Sequence, residues 1–207
     1  MRIDWWKRRK MAAVAVAMAG VLLAGTAPIA AQEQAQPFPE LDQQLKQLKG
    51  QFNTDTDKVR ILIIGDPTCP PCRHGFSVIQ KNVVEKFASD KLAVYAVWVP
   101  LLNLQDPATL QRHAHQYANL LPPGPRTAHY SDPEAYSGKQ YGPVLGVPYG
   151  SPAWDVYLAF PAGAHWGDKP PTPAYWEHQL GGLDSARYLD GPRFAEEVRK
   201  LLAKIGQ

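Results

Sequence analysis

The hydrophobic and polar positions of this chain form short apolar runs and longer apolar stripes at helical spacing. Residues 59–65 and 92–99 are apolar runs rich in β-branched side chains, which is typical of buried strands. Between them, residues 73–88 carry an apolar stripe on one helical face. This stripe consists of Phe76, Ile79, Val83 and Phe87. A strand, a helix and a strand in this order predict a βαβ unit, in which the helix packs on a parallel pair of strands.

Three further helices and two further strands are predicted from the same kinds of pattern. They are helices at residues 40–52, 106–121 and 192–205, and strands at residues 127–130 and 153–160. Asp106 precedes Pro107, which is the order expected of an N-cap and a first helical residue. Residues 136–150 and 167–173 are rich in glycine and proline, and we predict that both are loops.

The first 31 residues have the layout of a secretory signal. Basic residues are concentrated in the first ten positions, an apolar stretch follows at 11–25, and small residues come next. We expect cleavage after Ala31, and residues 32–39 then form a polar linker to a domain at 40–207. The alternative is an uncleaved membrane anchor, because residues 11–31 are long enough to span a bilayer.

The basic character of the whole chain depends on this N-terminal segment. The full sequence has 22 basic and 19 acidic residues, which gives a net charge of +3. Without residues 1–31, 17 basic and 18 acidic residues remain, and the net charge is −1. The charge therefore gives no indication of a nucleic-acid partner. We expect contact with a membrane only if the N-terminal segment is uncleaved.

The two cysteines of the sequence, Cys69 and Cys72, lie between the first predicted strand and its helix. Only Pro70 and Pro71 separate them, so a disulfide between them would close a very short loop and add little stability. A helix start offers free N–H groups and the positive end of the helix dipole, which lower the pKa of a cysteine placed there. Because the thiolate is the form that attacks disulfides, this spacing predicts a redox-active pair.

With this motif at a strand–helix junction, the chain resembles the thioredoxin-like superfamily, in particular the exported thiol–disulfide oxidoreductases of bacteria. The resemblance covers residues 40 to 205. It implies an α/β fold with a central mixed sheet flanked by helices. Residues 106–121 and 136–150 then form a helical and Pro/Gly-rich insertion. The resemblance also implies that Cys69 is the catalytic nucleophile and Cys72 the resolving thiol.

A cis-proline facing the disulfide, just before a strand, is a further implication of the resemblance. Pro152 is the better match and Pro148 is the alternative. A cis bond between Ser151 and Pro152 would turn the backbone of Ser151 toward the cleft, where an extended substrate could pair with it. We therefore predict that Ser151 and Pro152 bind substrate.

The sequence departs from the family pattern at two positions near the cysteines. The family usually has a tryptophan directly before the first cysteine, where this chain has Thr68. It also has a buried acid six residues before that cysteine, where this chain has Ile63. Asp66 is nearby but is expected in the loop. The proton acceptor for Cys72 is therefore left open by the sequence.

The function predicted from these features is disulfide exchange with partner proteins outside the cytoplasm, in the periplasm. The expected partners are protein thiols and disulfides, together with a membrane or periplasmic redox partner. We expect no cofactor other than the redox-active Cys69–Cys72 disulfide, and no metal. Two alternatives use the same fold: a carrier of a soft metal such as Cu(I) on the two thiols, and a binding module tuned by their redox state.

Other chemically active side chains give weaker indications. His74 could support the thiolate or a metal, but a solvated histidine in the first helical turn is the favoured interpretation. Five aromatic residues could line a substrate groove, although simple packing is favoured for most of them. These are Trp154, Tyr157, Trp166, Tyr175 and Trp176.

Overall fold

The computed structural model describes residues 36–103, 106–148 and 150–205. The predicted signal segment, its cleavage after Ala31 and the first part of the predicted linker lie outside the described residues. Within the described ranges, no helix is long and apolar enough to cross a membrane.

A five-stranded sheet forms the centre of the described domain, and β1 (Val59–Gly65) is its middle strand. The other strands are β2 (Leu92–Trp98), β3 (Thr127–Ser131), β4 (Val156–Phe160) and β5 (Tyr175–His178). They are ordered β3-β2-β1-β4-β5 across the sheet. β2 is parallel to both β1 and β3, whereas β4 is antiparallel to both β1 and β5. The parallel βαβ unit and the mixed sheet predicted from the sequence are confirmed.

In the described ranges, five α-helices cover the two faces of this sheet. They are α1 (Lys46–Thr54), α2 (Pro70–Ile79), α3 (Pro107–Tyr117), α4 (Tyr136–Leu145) and α5 (Gly191–Leu202). A π-helical turn, Gln80–Val84, extends α2, and short 3-10 turns lie at Ala118–Leu120 and Ser185–Arg187. Side chains of α2, α3 and α5 pack on one face, and those of α1 and α4 pack on the other. The predicted α/β architecture, a central mixed sheet flanked by helices, is confirmed.

Alternate residues of β1 supply the two halves of the core. Ile61 and Ile63 face the layer that contains α2 and α5, and Leu62 and Ile64 face the layer that contains α1 and α4. All seven residues of β1 are buried, as expected for a central strand covered on both faces. The helix that begins at the cysteines is thus fixed against the middle of the sheet.

The helix predicted at residues 40–52 begins only at Lys46. Leu41 and Leu48 are buried as the apolar stripe requires. However, the N–H of Leu41 donates to the carbonyl of Ser131 at 2.8 Å, and Glu40 forms a parallel bridge with Ser131. The first residues of the stripe therefore pair with the edge of the sheet instead of forming a helical turn.

The prediction of a loop at residues 136–150 is wrong over most of this range, because α4 lies there. Its glycines allow the helix to approach neighbouring backbone closely. A Cβ on Gly138 would lie 2.5 Å from the carbonyl oxygen of Ala153, and a Cβ on Gly142 would lie 2.8 Å from that of Ser151. The helix ends at Gly146, which adopts a left-handed conformation with φ 69°.

The remaining element boundaries differ from the predictions by a few residues. The helix predicted at 73–88 begins earlier, at Pro70, and its π-helical extension ends at Val84. The strand predicted at 153–160 begins only at Val156. Asp106 caps α3 as predicted, since its carboxylate accepts from the N–H of Thr109 at 2.9 Å.

Candidate active site

The turn between β1 and α2 is held by Asp66. Its Oδ1 accepts hydrogen bonds from the N–H of Thr68 at 2.7 Å and from the Thr68 hydroxyl at 2.6 Å. Its Oδ2 accepts from the N–H of Leu102 at 2.8 Å, and its carbonyl accepts from the N–H of Cys69 at 3.1 Å. Asp66 is thus part of the turn, as predicted, and both of its carboxylate oxygens are engaged by backbone or hydroxyl donors.

Cys69 is the N-cap residue of α2. Pro70 and Pro71 occupy the first two helical positions, so Cys72 carries the first available backbone N–H, and it donates to the Cys69 Sγ at 3.2 Å. A hydrogen bond from the Cys72 thiol lowers the pKa of Cys69, and the Cys72 N–H lowers it further, against burial and nearby negative charge. The helix start thus favours the thiolate at Cys69, as the sequence predicts.

Cys72 has the opposite character. Burial raises the pKa of its thiol strongly, and the hydrogen bond to Cys69 and the charge of Asp155 raise it further. The pKa values of the two thiols are therefore shifted in opposite directions. The two thiols differ little in exposure, because Cys69 is 3 % exposed and Cys72 is 0 % exposed.

Asp155 is the group that the sequence analysis missed. It lies directly before β4, and its carboxylate oxygen and the two Sγ atoms all lie within 4.8 Å of one another. It is 2 % exposed and has a φ of 51°, a left-handed conformation that is uncommon for residues other than glycine but enriched in aspartate. Burial raises the pKa of Asp155, against hydrogen bonds from Tyr157, Gln179 and Cys72.

A small hydrogen-bond network fixes the carboxylate of Asp155. Its Oδ1 accepts from the hydroxyl of Tyr157 at 2.6 Å and from the Gln179 Nε2 at 3.0 Å. The same Nε2 donates to the carbonyl of Pro71 at 2.7 Å and lies 3.0 Å from the Tyr157 hydroxyl oxygen. Gly75 leaves the room for this arrangement, because a Cβ there would lie 1.7 Å from the Tyr157 hydroxyl oxygen. The network therefore connects the start of α2 to the loop before β4.

The prediction of a cis-proline is wrong, since all peptide bonds of the described ranges are trans, including those before Pro148 and Pro152. Pro152 packs toward α4, with its Cβ 3.0 Å from the position that a Cβ on Gly138 would take. Ser151 and Pro152 lie, with Pro148, in the lining of a groove of about 460 Å³ beside α4. The residue that lies beside the sulfurs before β4 is Asp155, three positions after Pro152.

The sequence contained one signal for Asp155. It is an acidic residue within an otherwise apolar stretch that was predicted as strand from residue 153 onward. Tyr157 also belongs to the site, although packing was the favoured interpretation for most of the aromatic residues. Trp166 conforms to that interpretation, since it is buried in the layer that contains α1 and α4. His74 is exposed on the first turns of α2, in keeping with a solvated histidine.

The chemistry available to this site is that of two thiols and one carboxyl group in a nearly dry environment. Among the described side chains, Cys69, Cys72 and Asp155 form the one group of three His, Cys, Asp or Glu residues whose spacing suits a metal ion. The lowered pKa of Cys69 suits a nucleophile, and the raised pKa of Cys72 suits a thiol that reacts only in a later step.

No family model matches this chain, and no curated protein matches it at a significant level. Solved structures do match it. A secreted disulfide oxidoreductase from Mycobacterium tuberculosis, homologous to E. coli DsbE, has 13% identity and a TM-score of 0.42, over 70% of this chain and 83% of that one.

Two other solved structures are similar over a larger part of the chain. A thiol:disulfide interchange protein of the thioredoxin family from Chlorobium tepidum has 14% identity and a TM-score of 0.44, over 81% of this chain and 98% of that one. The thioredoxin-like superfamily protein SPOA0173 has 21% identity and a TM-score of 0.43, over 82% and 98% of the two chains.

Proposed function

We propose that this protein is an exported thiol–disulfide oxidoreductase that exchanges disulfides with partner proteins through Cys69 and Cys72. The observation that carries the proposal is the pairing of the two thiols at the start of α2. The pKa of Cys69 is lowered by its hydrogen bonds with Cys72, and the pKa of Cys72 is raised by burial. The Cys69 thiol thus forms the attacking thiolate readily, and the Cys72 thiol stays protonated until the mixed disulfide has formed.

The exchange proceeds in two steps. The Cys69 thiolate attacks a disulfide of the partner, forms a mixed disulfide, and releases the first partner sulfur as a thiolate that takes up a proton. Cys72 then loses its proton and attacks the Cys69 sulfur. This step forms the Cys69–Cys72 disulfide and releases the second partner sulfur. The partner gains two electrons and the protein loses two. Run in reverse, the same steps oxidise a dithiol partner.

Export is supported by the N-terminal sequence. The basic start, the apolar stretch and the small residues before Gln32 have the order of a secretory signal. Disulfide exchange with protein partners suits an oxidising compartment such as the periplasm. A second redox protein, in the membrane or the periplasm, is needed to reset the Cys69–Cys72 pair after each cycle.

A binding role for Ser151 and Pro152 is part of the proposal. Both line the groove beside α4, together with Val147, Pro148 and Gly150. Pro152 lies three residues before Asp155, so part of the groove lining and the carboxylate beside the sulfurs belong to one short stretch of chain. An extended segment of a partner protein that places its disulfide against Cys69 can follow this lining.

Trapping of partner proteins tests the function. Cys72→Ser should accumulate mixed disulfides, because attack by Cys69 proceeds and resolution does not. Cys69→Ser, the matched control with one thiol remaining, should trap almost nothing. The proposal is wrong if the two variants trap partners equally, or if the wild-type protein does not reduce insulin with a dithiol as the electron source. Stoichiometric retention of Cu(I) without turnover of disulfides would favour the soft-metal carrier.

A further inference from the structure

Resolution of the mixed disulfide requires a group that removes the proton from Cys72. Position 63, where the resemblance places an acid, holds a fully buried isoleucine on β1. We propose that Asp155 is the proton acceptor for Cys72, and that this chain carries its buried acid in the loop before β4 instead of on β1. The inference rests on the proposed disulfide exchange and assigns to Asp155 a part in its second step.

Distance and burial single out Asp155. Its carboxylate oxygen lies within 4.8 Å of the Cys72 Sγ, and the two groups are 2 % and 0 % exposed. A thiol buried to this degree has little access to bulk water as a proton acceptor. The carboxylate approaches from the loop before β4, whereas the thiol belongs to α2, so the two groups meet only in the folded protein.

Two other described ionisable groups near the site are already engaged. Both carboxylate oxygens of Asp66 accept hydrogen bonds from Thr68 and Leu102 within the β1–α2 turn. On β5, the His178 Nδ1 accepts from the N–H of Leu180 at 3.0 Å, and its Nε2 lies 3.0 Å from the carbonyl oxygen of Asp184. Neither group presents a free acceptor to Cys72.

Tyr157 and Gln179 are positioning residues for Asp155. Their two hydrogen bonds, at 2.6 and 3.0 Å, both end on Oδ1, so Oδ2 has no described hydrogen-bond donor from them. The Gln179 side chain also bonds the carbonyl of Pro71, which ties the carboxylate to the helix that carries Cys72. A carboxylate fixed in this way is available to the thiol without a rearrangement of the loop.

The proton and the electron pairs balance within the site. As the Cys72 sulfur bonds to the Cys69 sulfur, its proton passes to the Asp155 carboxylate. The bond between Cys69 and the partner breaks, and its electron pair leaves with the partner sulfur, which then takes up a proton. In the reverse direction, Asp155 returns the proton to Cys72 when the disulfide is opened.

Stopped-flow reaction of the reduced protein with excess dithiobis(nitrobenzoate) separates the two steps, since each releases a coloured thiolate. The first phase depends on reagent concentration and reports attack by Cys69. The second phase is independent of concentration and reports attack by Cys72. Asp155→Asn should slow the second phase about 10²–10⁴-fold at neutral pH, the usual contribution of a general base. It should leave the first phase within a small factor of the wild-type rate.

The pH profile separates proton transfer from a purely structural effect. The titratable groups that face Asp155 are Cys69 and Cys72 from α2, Tyr157 from β4 and His178 from β5. The wild-type second phase should level off with rising pH once the acceptor is ionised. In Asp155→Asn, where hydroxide replaces the acceptor, the rate should continue to rise about tenfold per pH unit. Asp155→Glu should recover part of the rate, and Tyr157→Phe should shift the profile with a smaller loss.

Asp55→Asn is the matched control, because it removes a carboxylate that is also buried but follows α1 and precedes β1, whereas the two cysteines follow β1. The rate of its second phase should remain within about twofold of the wild-type rate. This change is far smaller than the slowing expected when a general base is removed. All reactions contain a chelator, so that a metal on the same groups plays no part.

An Asp155→Asn variant with the wild-type second phase and pH profile overturns the assignment of Asp155 alone. A wild-type protein without a second phase overturns the exchange function as well. If Asp155→Asn misfolds and loses both phases, the pH profile of the second phase in Tyr157→Phe tests the assignment. A shifted profile supports Asp155 as the proton acceptor, and an unshifted profile overturns it.

Discussion

Replacing Gly75 with alanine should destabilise this protein, although the same replacement at Gly50 should stabilise it. Both glycines lie inside helices, Gly75 in α2 and Gly50 in α1, and neither has a positive φ. A Cβ on Gly75 would lie 1.7 Å from the hydroxyl oxygen of Tyr157 and 2.8 Å from the Gln179 Nε2. A Cβ on Gly50 would meet no heavy atom within 4 Å. The sign of the effect therefore depends on what lies opposite each glycine.

The magnitudes follow from three contributions. Alanine in a helix interior gains about 0.8–1 kcal/mol over glycine, which is the whole effect expected at Gly50. At Gly75, forcing Tyr157 aside costs about 1–3 kcal/mol as overpacking. Loss of its 2.6 Å hydrogen bond to the buried Asp155 costs about another 1–3 kcal/mol. The net loss at Gly75 is therefore about 1–5 kcal/mol.

Urea denaturation of the reduced protein, followed by tryptophan fluorescence, measures both free energies of unfolding. Gly75→Ala should also slow disulfide exchange, because the displaced tyrosine no longer holds the carboxylate beside Cys72. Gly50→Ala should leave exchange unchanged. The reasoning is refuted if Gly75→Ala is as stable as Gly50→Ala, since the space between α2 and β4 would then be larger than the structure shows.

Buried polar groups give three more expected outcomes. Arg60→Met should lower the free energy of unfolding by about 3 kcal/mol in urea titrations, because the fully buried guanidinium donates to three backbone carbonyls, and Arg60→Lys should lose less. Asp155→Asn should raise the melting temperature more at alkaline than at acidic pH. Burial raises the pKa of Asp155, so its contribution to stability is present at low pH and is lost as pH rises through that pKa; a pH-independent difference would contradict this. Burial lowers the pKa of His129 from 6.5 to about 4, so the wild-type protein should lose stability as pH falls between these values. His129→Gln should make the free energy of unfolding depend less on pH in this range, as measured by acid titrations monitored by circular dichroism.

Elements whose signals are local were predicted correctly from the residues alone. The apolar run at 59–65, the cysteine pair and the helical stripe that follows it predicted β1, the active-site turn and α2. In the same way, Asp106 and Pro107 predicted the start of α3. These signals suffice because strand burial, helix capping and helix amphipathicity are properties of neighbouring residues. The lowered pKa of Cys69 was also expected from its place at the helix start, whereas the raised pKa of Cys72 comes from burial.

The residue that lies beside the two sulfurs from another element could not be predicted from local patterns. Pro148 and Pro152 each precede the predicted strand, as the resemblance requires of the cis-proline. However, Asp155 adopts a left-handed conformation, and its carboxylate is the group that lies beside the two sulfurs. Likewise, Gly138 and Gly142 indicated a loop when taken alone, yet they form the contact face of α4 against residues 151–153. In both cases the deciding partner lies on another element. Proximity and burial between distant segments are set by packing of the whole sheet, which local propensity does not encode.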